Sequence, residues 1–246
     1  SIQKTTAEPY YNFISMECSE AIWLFGRIST YINLVDIDME IPDPYNESAT
    51  METVFFNASS DLLNRYEKDD LRKENYILRS LFEDSMWERH IGGYLPFGKF
   101  KVDGDYAPVN GENFAHAFRL SEAYLNLAEA AAMNKDEGTA LEMLNALREK
   151  RFVTGSDYEV EGLSGEALLD KIREERRLEL CFEGHRWFDL RRYGMPSITH
   201  EWKENGQVVH RYVLEEGDLF YTLPIPQNVM EANRQLVQNP LPAARN

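Results

Sequence analysis

The chain has 246 residues, enough to bury one sizeable core or two smaller ones. Apolar residues make up 43% and aromatic residues 12%, which excludes a disordered chain. With 42 acidic against 26 basic residues the formal charge is −16, a surface that repels phosphate backbones and argues against a nucleic-acid partner.

Two cysteines, Cys18 and Cys181, lie in apolar segments and read as buried thiols. Their number excludes a disulfide framework and a four-cysteine zinc site. No stretch approaches the ~18–20 apolar residues of a membrane helix. The opening SIQKTTAEPYYNF has no apolar signal-peptide core, and a start at Ser1 reads as processed or truncated.

In chain order, AIWLFGRI (21–28) is a dense apolar run of strand length, with Trp23 expected in the core. DIDMEIPDPYNESATMETVFFN (36–57) reads as a long polar loop, of the kind that often carries function. Residues 61–82 recover helical spacing, and turns at Gly92-Gly93 and Asp103-Gly104 bracket a short strand, YLPFGKF. Asp103 and Asp105 would suit calcium, but a plain turn accounts for them.

HAFRLSEAYLNLAEAAAMN places Leu120, Tyr124, Leu127, Ala128 and Ala131 on one helical face. A second helix, GTALEMLNALREKR, has Thr139 and Glu142 spaced as a capping box and an apolar stripe of Ala140, Leu144 and Leu147. The two resemble one tetratricopeptide-like helix pair. After the loop 152–165, with Ser164 at an N-cap position, a long buried helix is expected from about Gly165 through Leu190. The tail reads as a hairpin turned at Asn205-Gly206, then a short helix started by proline. The fold class is therefore mostly α, with short peripheral strands and long loops, taken as a single domain over residues 1–246.

The stretch ERRLELCFEGHRWFDLRRYG (175–194) mixes acids, arginines and aromatics. Read as helix, Arg176 neighbours Glu179, Glu183 neighbours Arg186, and Arg186 neighbours Asp189. Apolar side chains on several faces imply burial, Trp187 included, and buried charges must be paired. The expected outcome is a structural ion network of Arg176, Glu179, Glu183, Arg186 and Asp189. A hydrolytic pair of Glu179 and Glu183, with carboxylates within ~6 Å, is the competing reading. Adjacent arginines would lower both pKa values, whereas a general acid needs a raised one. GLSGE (162–166) misses the nucleophile elbow, and the five histidines lack zinc-pair spacing. No catalytic residue, metal or cofactor is expected.

The same stretch closely resembles the signature helix of SusD/RagB-type outer-membrane nutrient-binding lipoproteins, approximately ERRxELxxEGxRWFDLRR. LPIPQNVMEANRQLVQNP (223–240) resembles the family's closing motif, and RLSEAYLNLAEAA (119–131) and SEAIWLFG (19–26) are weaker matches in the correct order. Such proteins are typically about twice this length and begin at a lipidated cysteine, whereas SMECSE around Cys18 is no lipid-anchor site. The chain therefore resembles their C-terminal region. The resemblance implies a non-catalytic, cell-surface protein that captures oligosaccharide and delivers it to a SusC-like TonB-dependent transporter. It also implies an outer-membrane location, through an N-terminal lipid anchor not present in this chain. A tetratricopeptide-like protein–protein interaction module without glycan binding is the alternative. Exposed loop aromatics are what a sugar platform needs, and the candidates are Tyr45, Trp87, Tyr94 and Trp202.

Overall fold

The computed structural model describes residues 18–25, 36–43, 46–55, 58–79, 94–95, 115–204 and 207–242. They fall into two compact units, Ser1–Gly184 and His185–Asn246. Helices dominate the packed part, as the residue pattern requires, and among the described residues every sheet has two strands.

In the first unit, β1 (Ala21–Phe25) pairs antiparallel with β6 (Ala115–Arg119). The acidic segment read as a loop is instead a hairpin of β2 (Asp36–Asp43) and β3 (Asn46–Phe55). Apolar Ile37, Met39 and Ile41 are interspersed among its acids, and the register shifts between Asp38 and Ile41. A further pair joins β4 (Leu78–Arg79) to β5 (Tyr94–Leu95), so only two residues of YLPFGKF are described as strand. Residues 103–105 lie outside the described residues.

Helices α1 (Ser60–Leu63) and α2 (Arg72–Tyr76) are short. The expected helix pair is present as α3 (Leu120–Met133) and α4 (Glu137–Arg148), and α5 (Gly165–Glu179) packs beside it. Small residues Ala128, Ala131 and Ala140 let the backbones approach, and Leu144, Leu168 and Ile172 fill the seam. Leu125, Leu147 and Leu180 form a second cluster. A third gathers Ala58, Leu62, Leu63, Tyr66, Tyr76 and Ile77 around Leu178 and Cys181. Leu127 is 49% exposed, and the position missed on α3 is Leu125, fully buried one turn after Ser121. The cap of α4 is Asp136, whose carboxylate accepts from Thr139 N at 3.1 Å; Thr139 lies within the helix rather than at its cap. Ser164 stands at the N-cap position of α5, where Glu137 Oε1 accepts from Gly165 N at 2.9 Å.

The long helix expected to Leu190 stops at Glu179. Phe182 and Gly184 adopt left-handed φ of 62° and 82°, values no α-helix tolerates. The chain restarts as α6 (Arg186–Arg192). Only Gly184 marked this break in the sequence, since an L-residue such as Phe182 seldom adopts that conformation.

The second unit continues from α6 into β7 (Ile198–Glu204) and β8 (Gln207–Leu214), antiparallel, with Glu204 opposite Gln207 at the expected turn. A 3-10 turn (Leu219–Tyr221) and α7 (Gln227–Ala232) follow, the latter preceded by Pro226. The closing motif folds back on itself. Gln238 accepts from Ile225 N at 2.8 Å and donates to Ile225 O at 2.9 Å, and Asn239 Nδ2 donates to Leu223 O at 2.8 Å. Gln238 and Asn239 thus supply the partners that an irregular proline-bounded segment cannot find within itself. Among the described residues no helix is long and apolar enough to cross a membrane.

Candidate functional site

Two constellations compete for function: a buried charge cluster in the first unit and exposed aromatic side chains on the strands. The cluster centres on Glu179, in the last turn of α5 and fully buried. Its carboxylate accepts from Arg119 Nη1 at 2.7 Å, from Arg151 Nη2 and Nε at 2.9 and 3.0 Å, and from Arg72 Nη1 at 3.2 Å. Tyr76 OH adds a bond at 3.3 Å. Burial pushes the Glu179 carboxyl up, but Arg151, Arg119 and Arg72 together hold it well below the ordinary carboxylate range.

Arg119 ends β6 and spends its donors in several directions. Nε and Nη2 grip the two oxygens of Glu183 at 2.8 Å each, Nη2 also donates to Glu179 O at 2.9 Å, and Nη1 reaches Ser121 Oγ and Glu20. Arg151 Nη2 holds Glu20 at 2.7 Å. Arg72 grips Asp70 through Nε and Nη2 at 2.9 and 2.7 Å. Arg72 Nη2 also stands 2.6 Å from Glu175 Oε1, an electrostatic contact whose angles fall outside hydrogen-bond geometry. Arg148 donates to Glu175 Oε2 at 2.8 Å, to Glu67 at 2.8 Å and to Tyr158 O at 2.6 Å. Burial pulls the guanidinium pKa values of Arg72, Arg119 and Arg151 down, and the surrounding carboxylates push them well above the ordinary value. Glu179 and its three guanidinium partners are therefore all charged.

Local helical spacing does not describe this network. Glu179 meets arginines from α2, β6 and the turn after α4, Glu183 meets Arg119 of β6, and Glu183 sits in the turn after α5 rather than on one helix with Arg186. Arg176 Nη1 donates to Asn126 Oδ1 at 2.8 Å, and its Nη2 lies 3.6 Å from Glu122 on α3. Asp189 accepts from Arg192 Nε at 3.0 Å within α6. Arg186 is half-buried at the start of α6. The members missed from sequence are Glu20, Asp70, Arg72, Arg119, Arg148, Arg151 and Glu175. Glu20 and Arg151 are 131 positions apart, which no periodicity reveals. The available signal was an arginine set in each apolar stretch: DLRKENY, HAFRL and KRFV.

This geometry opposes hydrolysis by Glu179 and Glu183. A carboxyl held well below its ordinary range cannot donate a proton at neutral pH, and Glu179 offers no surface to a substrate. Among the described residues no group of three or more His, Cys, Asp or Glu is arranged to hold a metal ion. Cys18 and Cys181 are both buried thiols, and Cys181 Sγ lies 3.4 Å from Tyr66 OH.

Of the four aromatic candidates, Tyr45 and Trp87 lie outside the described residues. Tyr94 is in β5, opposite Arg79. Trp202 is in β7, 41% exposed and opposite His210. Trp23, expected in the core, is 65% exposed on β1, because a two-stranded sheet leaves one side of a strand uncovered. Phe188, placed on a buried face by the single-helix reading, is 70% exposed. Trp187 is half-buried and stacks on Tyr221, centroids 5.1 Å apart, while Tyr221 OH donates to Pro196 O at 2.5 Å.

Known proteins resemble this arrangement over nearly the whole chain. The chain is 25% identical over 193 residues to SusD-like protein P25 of Formosa agariphila, an alignment covering 74% of this chain and 33% of that protein. It is 32% identical over 145 residues to SusD-like protein P2 of the same organism, covering 54% and 28%. A SusD superfamily protein of Bacteroides thetaiotaomicron has the same fold, with TM-score 0.67, 24% identity and coverage of 98% of this chain and 52% of that one. Surface glycan-binding protein A of Bacteroides thetaiotaomicron aligns with TM-score 0.62 and 22% identity, covering 97% and 56%. The chain thus spans about a third of the length of the curated relative P25 and about half that of the solved structures. The sequence profile of the SusD family matches residues 45–241, most of the chain, and the chain belongs to that family.

Proposed function

We propose that this chain serves in non-catalytic capture of nutrient oligosaccharide at the cell surface, for delivery to a SusC-like TonB-dependent transporter of the outer membrane. The full-length protein would be held there by an N-terminal lipid anchor. The observation that carries the reading is the family match over residues 45–241, with relatives of the same fold that include a surface glycan-binding protein. The chemistry is consistent with it. The conspicuous carboxylates Glu179 and Glu183 are buried against arginines, while aromatic side chains are available at the surface. A charge of −16 suits a neutral ligand better than an anionic one. Within this reading the buried network holds the fold, and Trp202 is the described candidate for ligand contact.

Titrating neutral hexasaccharides into the protein, read by calorimetry, tests the reading directly. Saturable heat from at least one sugar is expected, without release of reducing ends. Released reducing sugar, lost in Glu183→Gln, would overturn the non-catalytic reading.

One observation favours a second role. Leu127, Ala130 and Met133 form an exposed stripe on α3, with Leu127 and Met133 at 49% and 64%. An interaction module built on the helix pair would use that stripe. Capture of the transporter, lost in Leu127→Asp and unaffected by sugar, would support that role, and silence toward every sugar would then leave it alone.

A further inference from the structure

The β7–β8 ribbon sorts its side chains by chemistry. His200 stands opposite Tyr212, and Trp202 opposite His210. Directly opposed residues share a face, as do residues two apart along a strand, so the four rings form a two-by-two block on one side. All four are exposed, and the rings of His210 and Tyr212 lie 4.5 Å apart at 54°. The other side carries Thr199, Val213 and the pair Glu201–Arg211, in which Arg211 Nε donates at 3.1 Å. In residues 198–202 and 210–214 Glu201 is the single acid, and it faces away from the rings. No acid stands within the block of four rings, which favours an uncharged ligand there.

Each ring offers an apolar body and a polar edge: imidazole nitrogen, indole N–H or phenol O–H. A pyranose offers the counterpart, a C–H face rimmed by hydroxyls. Among the described residues β8 is exposed along its length except at Leu214, so the ribbon is an open surface. An open platform gains affinity by length, so a single sugar would leave most of the available contact unused. Strands lie about 4.8 Å apart, and same-face residues on one strand are about 7 Å apart, enough to meet two neighbouring rings. With β8 exposed along its length up to Leu214, the two strands offer no concave arc to follow a coiled chain.

We propose that His200, Trp202, His210 and Tyr212 form a platform for interior rings of an extended, uncharged oligosaccharide. This rests on the glycan-capture reading and adds to it the site and the shape of the ligand.

The test is calorimetric titration of the full chain with cellohexaose, xylohexaose and mannohexaose, against maltohexaose as the coiled control and xylose, glucose and mannose as monosaccharides. At least one extended hexasaccharide should bind about tenfold or more tighter than maltohexaose and than its own monosaccharide. Trp202→Ala and Tyr212→Ala should each weaken it by about tenfold, the scale of one lost stacking contact. Trp202→Phe, which keeps a ring, should retain most of the affinity. Glu201→Gln, on the opposite face, should change nothing. Wild-type affinity in both alanine variants would overturn the platform while leaving glycan capture intact, with its site elsewhere. A Glu201→Gln loss as large as that of Trp202→Ala would also overturn it, because the effect would then come from the ribbon's folding. Preference for maltohexaose would contradict the extended shape. Silence toward every sugar would remove both readings.

Discussion

The two units handle polar chemistry in opposite ways. Among the described residues of Ser1–Gly184 six acids and five arginines are buried, and Arg72, Arg119, Arg148 and Arg151 are each shared between carboxylates from different segments. In His185–Asn246 the buried side chains are few, Asp189, Leu190 and Tyr221 among the described residues, and the long ribbon is exposed on both sides. A buried charge network is intolerant of loss, because removing one member strands the others away from water. An exposed ribbon tolerates substitution and is accessible to ligand. The segment most diagnostic of the family, 175–194, crosses from one regime to the other at the break after Gly184.

The sharpest way to break this contrast is at Arg119. Arg119→Ala leaves Glu179, Glu183 and Glu20 short of a buried partner and should cost about 3–5 kcal/mol, read as a large drop in the urea midpoint. Acid should act on the same unit. Burial raises the Glu67 carboxyl, but bonds from Arg148 and Lys171 outweigh it and lower it from 4.5 to about 2. Glu179 is also held well below 4.5. Groups with depressed folded values contribute fully above the unfolded value and lose that contribution as pH falls through the folded one. Stability should therefore decline from about pH 4.5 downward, and Glu67→Gln should flatten the decline between 4.5 and about 2.

Smaller effects belong to the second unit. Tyr221→Phe keeps the stack on Trp187 but loses the bond to Pro196 O, worth about 1 kcal/mol. Trp202→Ala should cost stability least, below about 1 kcal/mol for one cross-strand pair, while costing glycan affinity most. A thermal melt of each variant beside its glycan titration separates the two quantities.

Local order was largely legible. β1, the α3–α4 pair, the Asn205-Gly206 hairpin and the stripe of Ala140, Leu144 and Leu147 follow from short-range pattern. The errors arise where short-range pattern is silent or misleads. Acids masked the β2–β3 hairpin, and the aromatic content around Gly184 hid a break that depends on Phe182 accepting a positive φ. Apolarity alone put Trp23 inside, although a lone strand pair has nothing to cover it. For the charge network, sequence supplied Glu179 and Glu183 but neither Glu175 nor the arginine partners, because Arg72 and Arg119 come from 107 and 60 residues away. The aromatic block on the ribbon needed the strand register, which only the paired structure provides.

The most direct test of the central claim is the urea-unfolding midpoint of Glu179→Gln. This change preserves shape and removes only the charge that Arg72, Arg119 and Arg151 share. A network that holds the fold predicts a loss of about 3–5 kcal/mol, as for any buried pair stripped of one partner. An unchanged midpoint would contradict it.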